Sequence, residues 1–140
     1  MAVILIVEDE EQVRVLADAI IREQGHDTLT AATAEQAVAL VEERADIDVL
    51  FTDIGLQEDA EAGLQLAKEV AARRPLLPVL YTTGQGVTDG MRAMFIEPFG
   101  FLPKPYTPDD LTTALASLVA SHEDGRSGAA ASNGSDPVRK

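Results

Sequence analysis

The stretch VILIVEDEEQV, residues 3–13, runs five apolar residues directly into four consecutive carboxylates, Glu8 to Glu11. An unbroken apolar run with no alternation reads as a strand covered on both faces, as in a parallel sheet. In open parallel sheets, ligands collect beyond the carboxyl ends of the strands, where the strand order reverses. An acidic knot at the mouth of a buried strand therefore marks a place to look for chemistry.

Working outward, the unit repeats. Val13, Leu16, Ala17, Ile20 and Ile21 have helical spacing, and Gly25 supplies a stop. His26 to Ala32 reads as a second strand. Thr33 with Gln36 forms a capping box for a helix whose apolar face is Ala37, Val38, Val41 and Ala45. Ile47 to Phe51 is a third strand, and Leu64, Ala67, Val70 and Ala71 mark a third helix that stops before Pro75. Pro78 to Tyr81 opens a fourth strand. Val87, Met91, Met94 and Phe95 give a weak fourth helix, with Gly90 inside it and Pro98 after it. Phe101 and Leu102 sit in a short fifth strand. Thr107 caps the last helix, Pro108 takes its first position, and Leu111, Leu115, Leu118 and Val119 form its stripe. His26 and His122 have no recognisable partners and read as surface residues. The small, polar residues after His122 divide the chain into a folded domain, 1–122, and a tail, 123–140, expected to be disordered. Strands alternating with helices five times imply an α/β fold: a doubly wound, five-stranded parallel sheet with right-handed crossovers.

A chain of 140 residues suits one domain of this kind. With no cysteine, thiolate metal sites and thiol nucleophiles are excluded, and a cytoplasmic setting fits. No apolar run approaches a membrane span, and no signal peptide is recognisable. The formal net charge is −13, and the tail contributes nothing to it, because Glu123, Asp124 and Asp136 balance Arg126, Arg139 and Lys140. Such an acidic domain repels nucleic acid and anionic lipid, which are bound through Lys and Arg.

The residues that leave the strands are Glu8 and Asp9, Asp53, Thr83 and Lys104. Taken singly, Asp53 or Thr83 could equally be a helix cap. Brought together by the fold, three carboxylates must raise one another's pKa or recruit a cation. With oxygen ligands alone, Mg²⁺ is the natural partner, with Mn²⁺ as a substitute. Lys104 is a flexible point charge suited to phosphate, and Lys104-Pro105 in a tight turn is a candidate cis peptide. Thr83 adds a hydroxyl, followed by Gly84, which lets backbone approach closely. Such a site lets a carboxylate nucleophile hold a phosphoryl group while Mg²⁺ and Lys104 neutralise its oxygens.

The set Glu8-Asp9, Asp53, Thr83 and Lys104-Pro105, spread over residues 2 to about 120, resembles the receiver domain of two-component response regulators, the CheY-like family. The resemblance implies strand order 2-1-3-4-5. It implies that Asp53 accepts a phosphoryl group from a phosphohistidine on a histidine kinase or histidine phosphotransfer protein. Glu8, Asp9, Asp53 and the carbonyl of Gly55 would hold the metal. Thr83 would swing toward the phosphate, Lys104 would pair with it, and Phe101 would be the aromatic that changes rotamer. Output would be protein binding through the face of the fourth helix, fifth strand and fifth helix, with a phosphorylation-dependent homodimer as one form. By the same resemblance, Gly55 and Gln85 would border the approach of the attacking water; the missing side chain at Gly55 would leave it open, implying a phosphoryl group that is not exceptionally long-lived. Met91, Met94, Phe95 and Phe99 divide between core and partner surface.

Two departures stand out. DIGLQEDAEAG, residues 53–63, lacks the family's Met-Pro and is about two residues longer before Gly63. PVLYTTGQG, residues 78–86, partly resembles the P-F-x-F-A-T-G-Y-G stretch of one subgroup of single-domain receivers; Val79, Thr82 and Gln85 differ. Other readings are a pseudo-receiver that binds without phosphotransfer and a receiver segment of a hybrid histidine kinase. A turnover enzyme or nucleotide binder is disfavoured, because EDEEQ stands where Gly-rich backbone amides would cradle phosphate.

Overall fold

A computed structural model describes residues 2–131, with side chains as far as Ala120 and that of His122. Ten elements alternate without exception: β1 (Val3–Val7), α1 (Glu11–Glu23), β2 (Asp27–Ala31), α2 (Ala34–Glu43), β3 (Val49–Asp53), α3 (Ala62–Arg73), β4 (Val79–Thr83), α4 (Asp89–Ala93), β5 (Phe99–Pro103) and α5 (Pro108–Ala131). The five strands are parallel, in the order β2-β1-β3-β4-β5. The order reverses beside β1, between β1 and β3, so the switch point lies at the residues following β1.

Strand periodicity splits the core into two layers. Ile4 and Ile6 of β1, Val49 and Phe51 of β3, and Leu80 of β4 pack with Ala17, Ile20 and Ile21 of α1 and with Leu111, Leu115 and Leu118 of α5. Leu5, Val7, Leu50, Val79 and Tyr81 point the other way, against α2 and α3 residues such as Ala37, Val41, Leu64 and Val70. Each fully buried aliphatic side chain contributes about 1.5–3 kcal/mol.

Helix starts follow the expected chemistry. The Thr33 hydroxyl accepts from Gln36 N–H, and the Gln36 side chain returns to Ala32 N–H. Thr107 and Asp110 exchange two such bonds at α5. Thr88 caps the five-residue α4. α5 continues to Ala131, into the stretch the sequence suggests is disordered; residues 132–140 lie outside the described residues.

Four expectations need correction. Leu16 is exposed beside Val15, because the buried stripe of α1 runs through Ala17, Ile20 and Ile21 and leaves Leu16 on its flank. Ala45 is exposed, because α2 ends at Glu43 and Arg44 turns into extended backbone. Neither histidine is a partnerless surface residue. His26 is half-buried and accepts from Ala2 N–H at Nδ1 (3.1 Å), and burial holds its pKa below the ordinary value. His122 is buried, with Nε2 3.5 Å from Asp48 Oδ1, while Asp48 Oδ2 accepts from Val3 N–H. These contacts tie β1, β3 and α5 together at the amino edge of the sheet, across separations in sequence that no local pattern reveals.

Candidate phosphoacceptor site

Glu8 and Asp9 follow β1, Asp53 closes β3, Thr83 closes β4 and Lys104 follows β5. The parallel register brings all five to one rim. Glu8, Asp9 and Asp53 each offer a carboxylate oxygen, and these oxygens lie within 4.8 Å of one another. The Lys104 ammonium donates to Asp53 Oδ2 (2.7 Å) and to Glu8 Oε1 (2.9 Å). The Lys104–Pro105 peptide is cis.

Electrostatics at this rim are set by burial. Glu8 is almost fully buried, and desolvation pushes its pKa up against the opposing bonds from Lys104 and from Glu10 N–H. Burial alone would lower the pKa of Lys104; its bonds to Asp53 and Glu8 outweigh that, and the net direction is upward. Among the described residues, Lys104 is the only cationic side chain lining the cleft that contains the three carboxylates. Glu10, Glu58 and Asp59 line the same cleft, so its negative charge well exceeds that of Lys104 and favours a divalent cation beside the Glu8, Asp9 and Asp53 cluster.

The residues present fit such an ion. The bonds from Glu10 N–H to Glu8 Oε2, from Gly55 N–H to Asp53 Oδ1 (3.3 Å) and from Gln57 N–H to Asp9 Oδ2 (2.8 Å) orient the carboxylates and still leave lone pairs for a metal. All-oxygen donors of this kind suit Mg²⁺.

The cleft, about 490 Å³, is lined by Glu8, Asp9, Asp53, Gly55, Thr83, Gln85 and Lys104, among others. The Thr83 hydroxyl accepts from Gln85 N–H (3.2 Å). Phe101 and Pro105 stand outside the cleft. Phe101 is half-buried, its ring 6.0 Å from that of Phe95, and Arg92 lies 5.8 Å over it. Phe95 in turn stacks on Tyr81 at 4.3 Å. The Tyr81 hydroxyl accepts from Ile96 N–H, and burial pushes its pKa up to about 12.

Two contributors are invisible to sequence reasoning. Residues 56–59 form a miniature hairpin: Leu56 and Asp59 exchange both backbone bonds, with Gln57 and Glu58 at φ of 51° and 68°. This is the lengthened loop, and it delivers the Gln57 amide to Asp9. Because the group is backbone, residue type carries no signal. Arg14 donates from Nη1 to the carbonyl of Glu8 (2.9 Å), fixing the turn between β1 and α1.

The profile of the response regulator receiver domain matches residues 4–116. A putative NtrX-like response regulator of Rickettsia bellii is 30% identical over 113 residues, covering 80% of this chain and 23% of that protein. The alginate biosynthesis transcriptional regulatory protein AlgB of Pseudomonas aeruginosa is 32% identical over 81% of this chain and 25% of its own. The chain thus spans about a quarter of the length of these relatives. The crystal structure of NtrX from Brucella abortus superimposes with a TM-score of 0.83 at 30% identity, over 94% of this chain and 30% of that one. Sheet order, helix placement and the matched span agree: the chain belongs to the response regulator receiver domain family of two-component signalling.

Proposed function

We propose that Asp53 accepts a phosphoryl group from a phosphohistidine on a histidine kinase or histidine phosphotransfer protein, and that Mg²⁺ or Mn²⁺ is required. The observation that carries this reading is the Lys104 ammonium shared between Asp53 and Glu8 beside Asp9. With Oδ2 held by Lys104, Asp53 attacks phosphorus through its other oxygen. The new P–O bond forms as the P–N bond breaks, and the imidazole leaves with the electron pair. Glu8, Asp9, Asp53 and the carbonyl of Gly55 would hold the ion. When bound, it supplies positive charge at the phosphoryl oxygens. Lys104 then follows the negative charge onto the phosphoryl group, and the Thr83 hydroxyl donates to it.

The released contacts shift the population of the surface formed by α4, β5 and α5, with Phe101 as the ring that reports the change. Protein partners at that face, a second copy of the chain among them, read the result; the setting is cytoplasmic. Gly55 and Gln85 border the cleft, and a Cβ on Gly55 would sit in ordinary contact, 3.6 Å from the Asp59 carbonyl. A Cβ at 55 is therefore accommodated, and a bulky residue there should slow hydrolysis of the phosphoryl group.

Incubation with phosphoramidate and Mg²⁺, read by intact mass, tests the proposal. A single Mg²⁺-dependent phosphoryl adduct is expected, and it should be absent from Asp53→Asn. An adduct that survives Asp53→Asn, or no adduct in the wild type, would favour the pseudo-receiver reading.

A further inference from the structure

Asp53 pairs with Thr82, not Thr83, across the β3–β4 ladder. Side chains alternate along a strand, so Thr82 shares its face with Leu80, and Asp53 shares its face with Val49 and Phe51; all of these point toward α1 and α5. Thr83 leaves from the opposite face. Thr82 is 97% buried by this packing, and its hydroxyl, shut off from solvent, has no hydrogen-bond partner among the described protein groups. A buried hydroxyl without a partner costs about 1–3 kcal/mol, so a native structure normally provides one.

Beside it lies a cavity of about 10 Å³, whose wall includes Thr82, Glu8, Asp53 and Tyr106, with Phe51 and Ala17 among its apolar side chains. That is the room one water needs, and a buried water needs two to four polar partners. Hydroxyl donors from Thr82 and Tyr106 and carboxylate acceptors from Glu8 and Asp53 match the four bonds of one water molecule.

We infer that Thr82 is a positioning residue that steadies the Asp53 carboxylate through one buried water, on the side of the sheet turned away from Thr83. The role rests on Asp53 being the phosphoacceptor. The water itself does not. A carboxylate held from beneath keeps its attacking oxygen aimed into the cleft, and an orientation fixed before the reaction lowers its barrier. Thr82→Val keeps the shape of the side chain and removes only the hydroxyl, while Thr82→Ser keeps the hydroxyl and removes a methyl group.

Two measurements test this separately. A high-resolution crystal structure of the unmodified protein should show one ordered water within hydrogen-bond distance of Thr82 Oγ1. Phosphorylation by phosphoramidate and Mg²⁺ should be about fivefold slower in Thr82→Val, the share of one ordinary hydrogen bond, and Thr82→Ser should restore it. A merely structural residue would not show that rescue. A dry cavity, or a Thr82→Val protein phosphorylated at the wild-type rate, overturns the inference. A wild type that shows the water and takes no phosphoryl group overturns the phosphoacceptor reading instead, and the positioning role with it.

Discussion

The Nζ of Lys104 lies 2.7 Å from Asp53 Oδ2, although β4 separates the strands that carry the two residues. The same ammonium reaches Glu8, so one cation holds two carboxylates whose side chains are 12% and 5% exposed. Removing it leaves both buried and unpaired. Lys104→Met should lower unfolding free energy by about 2–4 kcal/mol, slightly under the range for a fully buried pair because Lys104 is itself 20% exposed. Urea denaturation should show this loss, and Mg²⁺ should recover part of it. A loss within experimental error would mean that the pair is solvated.

The hairpin at residues 56–59 uses Gln57 and Glu58 in left-handed backbone, where Asn and Gly are preferred. The double substitution Gln57→Asn with Glu58→Gly should raise stability by about 1 kcal/mol. Deleting both residues should remove the amide that holds Asp9 and weaken Mg²⁺ binding, as measured by calorimetry. Unchanged affinity after the deletion would show that Asp9 is held in place without the hairpin.

Gly63 and Gly90 should respond in opposite directions to alanine. A Cβ on Gly63 would fall 1.9 Å from the Asp53 carbonyl oxygen, so α3 approaches β3 only because that atom is missing. Gly63→Ala should cost about 3 kcal/mol or more and disturb the backbone at Asp53. Gly90 lies within α4, with only the Thr88 hydroxyl at 3.8 Å, and Gly90→Ala should stabilise by about 0.5–1 kcal/mol. Thermal melts of the two variants make the comparison.

His26 should make stability fall in mild acid. Its pKa in the fold lies below the ordinary 6.5, chiefly through burial, so the unfolded chain takes up the proton first as pH drops. The contribution is fully present above about pH 6.5 and is lost progressively below it, down to the folded pKa. Urea melts at about pH 7.5 and about pH 5.5 should show a larger drop for wild type than for His26→Asn. Equal drops would remove His26 from the account.

What the sequence made legible was whatever a local pattern can carry. Apolar runs gave the strands, spacing gave most helix faces, and the site residues lie where polar side chains leave the strands. The fold supplied what depends on backbone or on distant partners. The Leu56–Asp59 hairpin has no turn signature in its side chains. The Asp48 contacts to Val3 and His122 join three elements that no local pattern connects. The exposure of Leu16 and Ala45 turns on how far each helix rotates and where it ends.

The five residues of α4 include none that is buried, and the segment is moored by Phe95 lying flat on Tyr81 and by Met91, Met94 and Ile96, partly buried against the same core. Undocking it forfeits that ring's burial, roughly 2–3 kcal/mol, and a share of the partly buried side chains, against the 5–15 kcal/mol that holds a typical domain together. The acids sit where the strands end, on the continuous five-stranded ladder, whereas α4 adds no fully buried side chain of its own. Under the proposed phosphotransfer, an electrostatic push at one end would redraw the silhouette at the other while the ladder between them stays paired.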